Sequence, residues 1–133
     1  MNFNGGSNSL TSNSTIVSNL NRNINEDIAE AKLNSFFYGA GSIFPIALTG
    51  TLEYALLNAI AKDPRYMSLL LLNIPLLPLS AFATKETSTS LLNELKRLRK
   101  LITLKLYMSD EKDNSKEAPH LLSRYNNINK NFR

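Results

Sequence analysis

The polar and apolar positions of the chain fall into five stretches. Residues 1–14 (MNFNGGSNSLTSNS) are polar and of low complexity, with too little apolar area to offset the entropy of ordering, and they read as disordered. From residue 15 to 34, Val17, Leu20, Ile24, Ile28 and Ala31 recur at intervals of three and four, the spacing of one helix face. Ser14 or Thr15 can cap this amphipathic helix. Its several Asn residues are mediocre helix formers, so it needs a partner surface.

Residues 35–84 have a different character. Residues 36–52 carry no charge, and after Glu53 the apolar run resumes through Ala61. Lys62, Asp63, Pro64 and Arg65 then form a short charged turn containing a helix breaker, and residues 66–84 are again uncharged before Lys85 and Glu86. A helix needs about 20 predominantly apolar residues to cross a bilayer, a length that both 36–61 and 66–84 approach or meet. Two such segments joined by four residues are antiparallel neighbours. The pattern therefore predicts an all-α chain with a membrane-embedded helical hairpin, flanked by amphipathic helices and disordered polar termini. Pro75 and Pro78 predict a kink or partial unwinding in the second segment, or a shallow hairpin that re-enters. The alternative is a soluble all-helical oligomer whose apolar segments pack in a bundle. Against it, residues 66–84 lack the polar face of a bundle helix.

Beyond the hairpin, residues 87–108 predict a basic amphipathic helix. Leu91, Leu95, Leu98 and Ile102 alternate at three and four residues, and Lys96, Arg97, Arg99 and Lys100 supply charge opposed only by Glu94. Residues 109–133 combine a mixed-charge patch with an Asn-rich end and read as a flexible polar tail.

Charge distribution adds an orientation. The net charge is only +4, but from Lys85 onward eleven Lys/Arg face six Asp/Glu. Lys85, Lys96, Arg97, Arg99 and Lys100 fall within the ~15–20 residues flanking a span that favour the cytoplasmic side, which predicts both termini in the cytosol. No basic region followed by an apolar core marks a secretory signal in the first 30 residues. Asn at position 2 and the lack of cysteine leave no acceptor for myristoyl, prenyl or palmitoyl groups.

Chemistry narrows the picture further. With no cysteine and one histidine, His120, neither a thiolate nor a histidine-based metal site is expected. No Ser/His/Asp set, phosphate-binding glycine loop or HExxH spacing occurs, so no catalytic residue, cofactor or small-molecule substrate is expected. Glu53 stands out, because an acid within an apolar segment is costly. It lies nine residues before Lys62, and Asn73 lies eight after Arg65. At ~1.5 Å per residue both sit roughly 12–14 Å from the turn, which predicts an intramembrane polar pair. Gly39, Gly41, Ala47 and Gly50 make the first segment rich in small residues, which allow close helix packing.

The basic helix (Leu91, Leu95, Lys96, Arg97, Leu98, Arg99, Lys100, Ile102) is expected on an anionic membrane surface or against a partner helix. Nucleic acid is disfavoured, since no aromatic interleaves the cations. The expected function is that of a small non-enzymatic membrane protein, an accessory or scaffold subunit or a membrane-shaping hairpin. Its partners are membrane lipids and a protein partner or a second copy. The endoplasmic reticulum and the mitochondrial outer membrane suit it equally, and the Asn-rich ends point to an A/T-rich eukaryotic genome.

Overall fold

The computed structural model describes residues 6–110 and 114–132. Every element is helical: α1 (Gly6–Lys62), a 3-10 turn (Pro64–Ser68), α2 (Leu69–Asn73), α3 (Leu76–Asp110) and α4 (Ala118–Phe132). The chain is all-α. It divides into two compact units, one formed by residues up to Leu33 together with those from Asn93, the other by Asn34–Leu92.

In the first unit the amphipathic stripe read from the sequence finds its partner surface. Leu20, Ile24 and Ile28 of α1 are buried against Leu101, Leu104 and Met108 of α3 and Leu121 of α4. Val17, Leu98, Tyr107, Tyr125 and Ile128 close the edges of this core. Residues 6–14 continue α1, where the hydroxyls of Ser14 and Thr15 donate to the Thr11 carbonyl at 2.9 Å. The expected disorder over 1–14 is thus corrected for residues 6–14, while residues 1–5 lie outside the described residues. Helix continuity explains the difference. Once the stripe from Val17 onward is docked, each residue added at its N-terminal end gains a hydrogen bond without a new nucleation cost.

The expected flexible tail over 109–133 is corrected as well. Residues 118–132 form α4, with Ala118 and Leu121 fully buried and Tyr125 and Ile128 packed on the core. The connection from α3 is tied down at both ends. Asn114 Nδ2 donates to the Met108 carbonyl at 2.6 Å, satisfying one of the free carbonyls at the end of α3, and Tyr107 Oη donates to Glu117 at 2.8 Å.

In the second unit α1 runs antiparallel to α2 and α3. α1 stops at Lys62 because Asp63 precedes a proline and is held extended (φ −145°, ψ 111°), a conformation that cannot continue a helix. Asp63 then accepts from the Arg65 amide at 3.0 Å and caps the 3-10 turn begun by Pro64. The second apolar segment is interrupted between Asn73 and Leu76, at Pro75. Pro78 is accommodated in the first turn of α3, where its missing N–H has no intrahelical partner to lose. The separate helices expected over 15–34 and 36–61 are one helix, as are the end of the second apolar segment and the basic helix.

Candidate functional site

The second unit is built with its polarity reversed. Its only two buried residues are Thr49 and Asn73. Outside stand large apolar side chains such as Phe36, Leu71 and Leu72, each 70–71% exposed. Among the described residues, 21 of the 26 exposed large hydrophobic side chains belong to this unit, far more than the scattered apolar positions of an ordinary water-facing surface. Two stretches, within Thr11–Lys62 and Pro64–Asp110, are long and apolar enough to cross a membrane.

Hydroxyl groups line the seam between the two sides of this unit. Ser42 Oγ lies 3.2 Å from Thr87 Oγ1 and 3.3 Å from Ser88 Oγ, and Thr84 Oγ1 donates to the Ser42 carbonyl at 3.4 Å. Such contacts let apolar helices associate where no hydrophobic force separates helix from solvent. Gly41 marks the closest approach: a Cβ placed there would lie 3.2 Å from Thr87 Cγ2. The Ser42–Thr87 contact escaped the sequence reading because serine and threonine are common in every segment of the chain. Of the other expected packing residues, Gly39 and Gly50 have open space where a Cβ would stand, and Ala47 is exposed.

Glu53 sits between two cavities of the seam. One, of about 260 Å³, is lined by Glu53 and Asn73 together with Leu57, Leu70, Ile74 and Leu77. The expected pair therefore shares one wall-to-wall space, although no hydrogen bond joins the two side chains. The other, of about 560 Å³, has Glu53, Thr49, Ser80 and Lys85 among its lining residues. Matching helix depth revealed Asn73 in the sequence. Lys85 was hidden because it lies beyond the apolar segment and was counted only as a flanking charge.

The first unit holds a buried ionic network. Arg97, 2% exposed, lies 3.5 Å from Asp27, 3.6 Å from Glu30 and 3.6 Å from Glu94. Asp27 is buried too, and accepts from Tyr125 Oη at 2.6 Å and Asn129 Nδ2 at 3.3 Å. The network thus ties α1, α3 and α4 at one point. This corrects the expectation that Arg97 faces a membrane surface or an external partner: its guanidinium is buried beside three carboxylates of its own chain and does not reach the surface.

The rest of the basic helix divides by face. Leu98 packs on the core beside Leu101 and Leu104, so the leucine stripe is partly occupied by α1 and α4 of the same chain. Leu95 and Ile102 are exposed, and Leu91 is half-buried within the second unit. Lys96, Arg99 and Lys100 line a cavity between α3 and α4 together with Arg124. No family model, characterised protein or solved structure matches the chain.

Proposed function

We propose that the chain is a small non-enzymatic integral membrane protein, in which residues 35–84 form a membrane-embedded hairpin and the helical unit formed by its two flanks is a cytosolic module. The observation that carries this reading is the reversed burial of the second unit, with Thr49 and Asn73 inside and phenylalanine and leucine outside. In water, each large apolar side chain left exposed forgoes about 1.5–3 kcal/mol of burial, whereas in hydrocarbon the same arrangement costs nothing. The first unit supports a hairpin over a single crossing. Residues before the apolar block and residues after it pack into one core, so both flanks must occupy the same side of a membrane. The cluster of Lys/Arg after Thr84 supports the cytosolic side, on the endoplasmic reticulum or the mitochondrial outer membrane.

Within this reading, the cytosolic module recruits or stabilises a partner, and the protein acts as an accessory or scaffold subunit of a membrane complex. Carbonate extraction of membranes from cells expressing the chain tests the first step. An integral hairpin stays in the pellet, whereas release into the supernatant would favour the soluble oligomer and overturn the proposal. Protease treatment of sealed vesicles then tests orientation, because protection of either flank is incompatible with a cytosolic module.

A further inference from the structure

The first unit carries a cavity of about 490 Å³ between α3 and α4, bordered by the core residues Leu104 and Ile128 and by none of the residues of the ionic network. Its rim holds four cations, Lys96, Arg99, Lys100 and Arg124, and no carboxylate lines it. Its floor is apolar, formed by Leu104, Ile128 and Phe132. Among the described residues none of these four cations is ion-paired, in contrast to Arg97 one helical step away, which has three carboxylates. Two of them are instead held over aromatic rings. Lys100 Nζ lies 4.9 Å from the centroid of Phe132, and the Arg124 guanidinium 5.2 Å from that of Tyr107. Rings orient a cation without neutralising it, so its charge remains available to an anion.

We infer that this cavity binds the phosphodiester headgroup of an anionic phospholipid, with the rim cations on the phosphate and the glycerol and first acyl carbons on the apolar floor. The inference rests on the membrane reading given above and names the lipid chemistry that the cytosolic module recognises. Three features favour this ligand. The volume falls within the ~300–1,000 Å³ of small-molecule sites. The combination of a cationic rim and an apolar floor matches a singly charged headgroup with an attached apolar stem, whereas a free phosphate would leave the floor unused. Nucleic acid fits less well, because a backbone needs a stripe of cations along a groove with free stacking faces, and the Phe132 ring is already covered by Lys100.

The test is titration of the full chain, purified in an uncharged detergent, with dihexanoyl phosphatidylglycerol, dihexanoyl phosphatidylcholine and inorganic phosphate, followed by calorimetry. Phosphatidylglycerol is expected to bind at least about tenfold more tightly than either of the others, because the rim cations repel the choline of phosphatidylcholine and inorganic phosphate has no apolar stem for the floor. Arg99→Gln with Lys100→Gln should abolish that preference, and Phe132→Ser should weaken phosphatidylglycerol binding while leaving inorganic phosphate unchanged. Lys32→Gln, at an exposed cation elsewhere on α1, should change nothing. Equal affinity for the two lipids, an undiminished preference in the Arg99/Lys100 variant, or inorganic phosphate matching phosphatidylglycerol would each overturn the site. The rim substitutions leave residues 35–84 untouched. A wild-type chain that stays in the carbonate pellet but shows no preference for phosphatidylglycerol therefore sinks the pocket alone, and release of the wild-type chain sinks the membrane reading.

Discussion

The two units share α1 and α3 but bury opposite kinds of residue. In the first unit, Leu20, Ile24, Leu101, Leu104 and Leu121 are inside, and the charge that is buried, on Arg97 and Asp27, is compensated. In the second, Thr49 and Asn73 are inside and the leucines, isoleucines and phenylalanines are outside. On the membrane reading proposed above, the same helix geometry serves two environments. A water-facing bundle gains stability by withdrawing apolar area, with the ionic network adding a point at which three helices must register. A hairpin in apolar surroundings would gain nothing that way and would rely on small residues and hydroxyl contacts, of the kind seen at Gly41, Ser42 and Thr87.

The strongest way to break this contrast is to put charge on the outer face of the second unit. Leu48→Lys combined with Leu79→Lys, both exposed and away from the Glu53 cavities, should cost roughly 5–7 kcal/mol of insertion free energy, at ~2.5–3.5 kcal/mol for each mid-span lysine. The double variant should leave the carbonate pellet. If it remains there, lipid does not surround these residues.

The first unit should instead be most sensitive at its buried charge. Arg97→Leu leaves Asp27 buried without its cation and should lower stability by about 3–5 kcal/mol, read by urea unfolding of the detergent-solubilised chain. Adding Asp27→Leu should recover only part of the loss, because it removes the buried carboxylate but leaves Glu94 without its cation and the Tyr125 hydroxyl without its acceptor. A double variant no better than the single would mean that the network does more than neutralise one pair.

The gentlest comparison uses the same substitution in both units. Leu104→Ala removes a core side chain and should cost about 2–5 kcal/mol, whereas Leu72→Ala, at an exposed position, should stay within about 0.5 kcal/mol in the same unfolding assay. Similar losses at the two sites would show that Leu72 is covered by another protein surface rather than by lipid.

Much of this architecture was legible in the sequence. The stripe from Val17 to Ala31 identified the α1 face of the core, and the Lys62–Arg65 turn appeared where Asp63 and Pro64 end one helix and start the next. The interruption at Pro75 followed from the chemistry of proline. α4 was missed because Asn126, Asn127, Asn129 and Asn131 lower its local propensity, although Ala118, Leu121, Tyr125 and Ile128 follow a helical spacing. Docking on the core outweighs that propensity deficit.

What the sequence by itself determined is the all-helical character, the apolar block and the place where the chain turns back, because these depend on residue type and spacing over short distances. Only the tertiary structure decided which cation is buried and which are free. Arg97, Arg99 and Lys100 are close neighbours on one basic helix, and nothing local distinguishes them. Arg97 faces Asp27, seventy residues earlier in the chain, while Arg99 and Lys100 turn toward α4. A helix places successive side chains about 100° apart, so the partner met by each is set by what packs on that face and not by the residue itself.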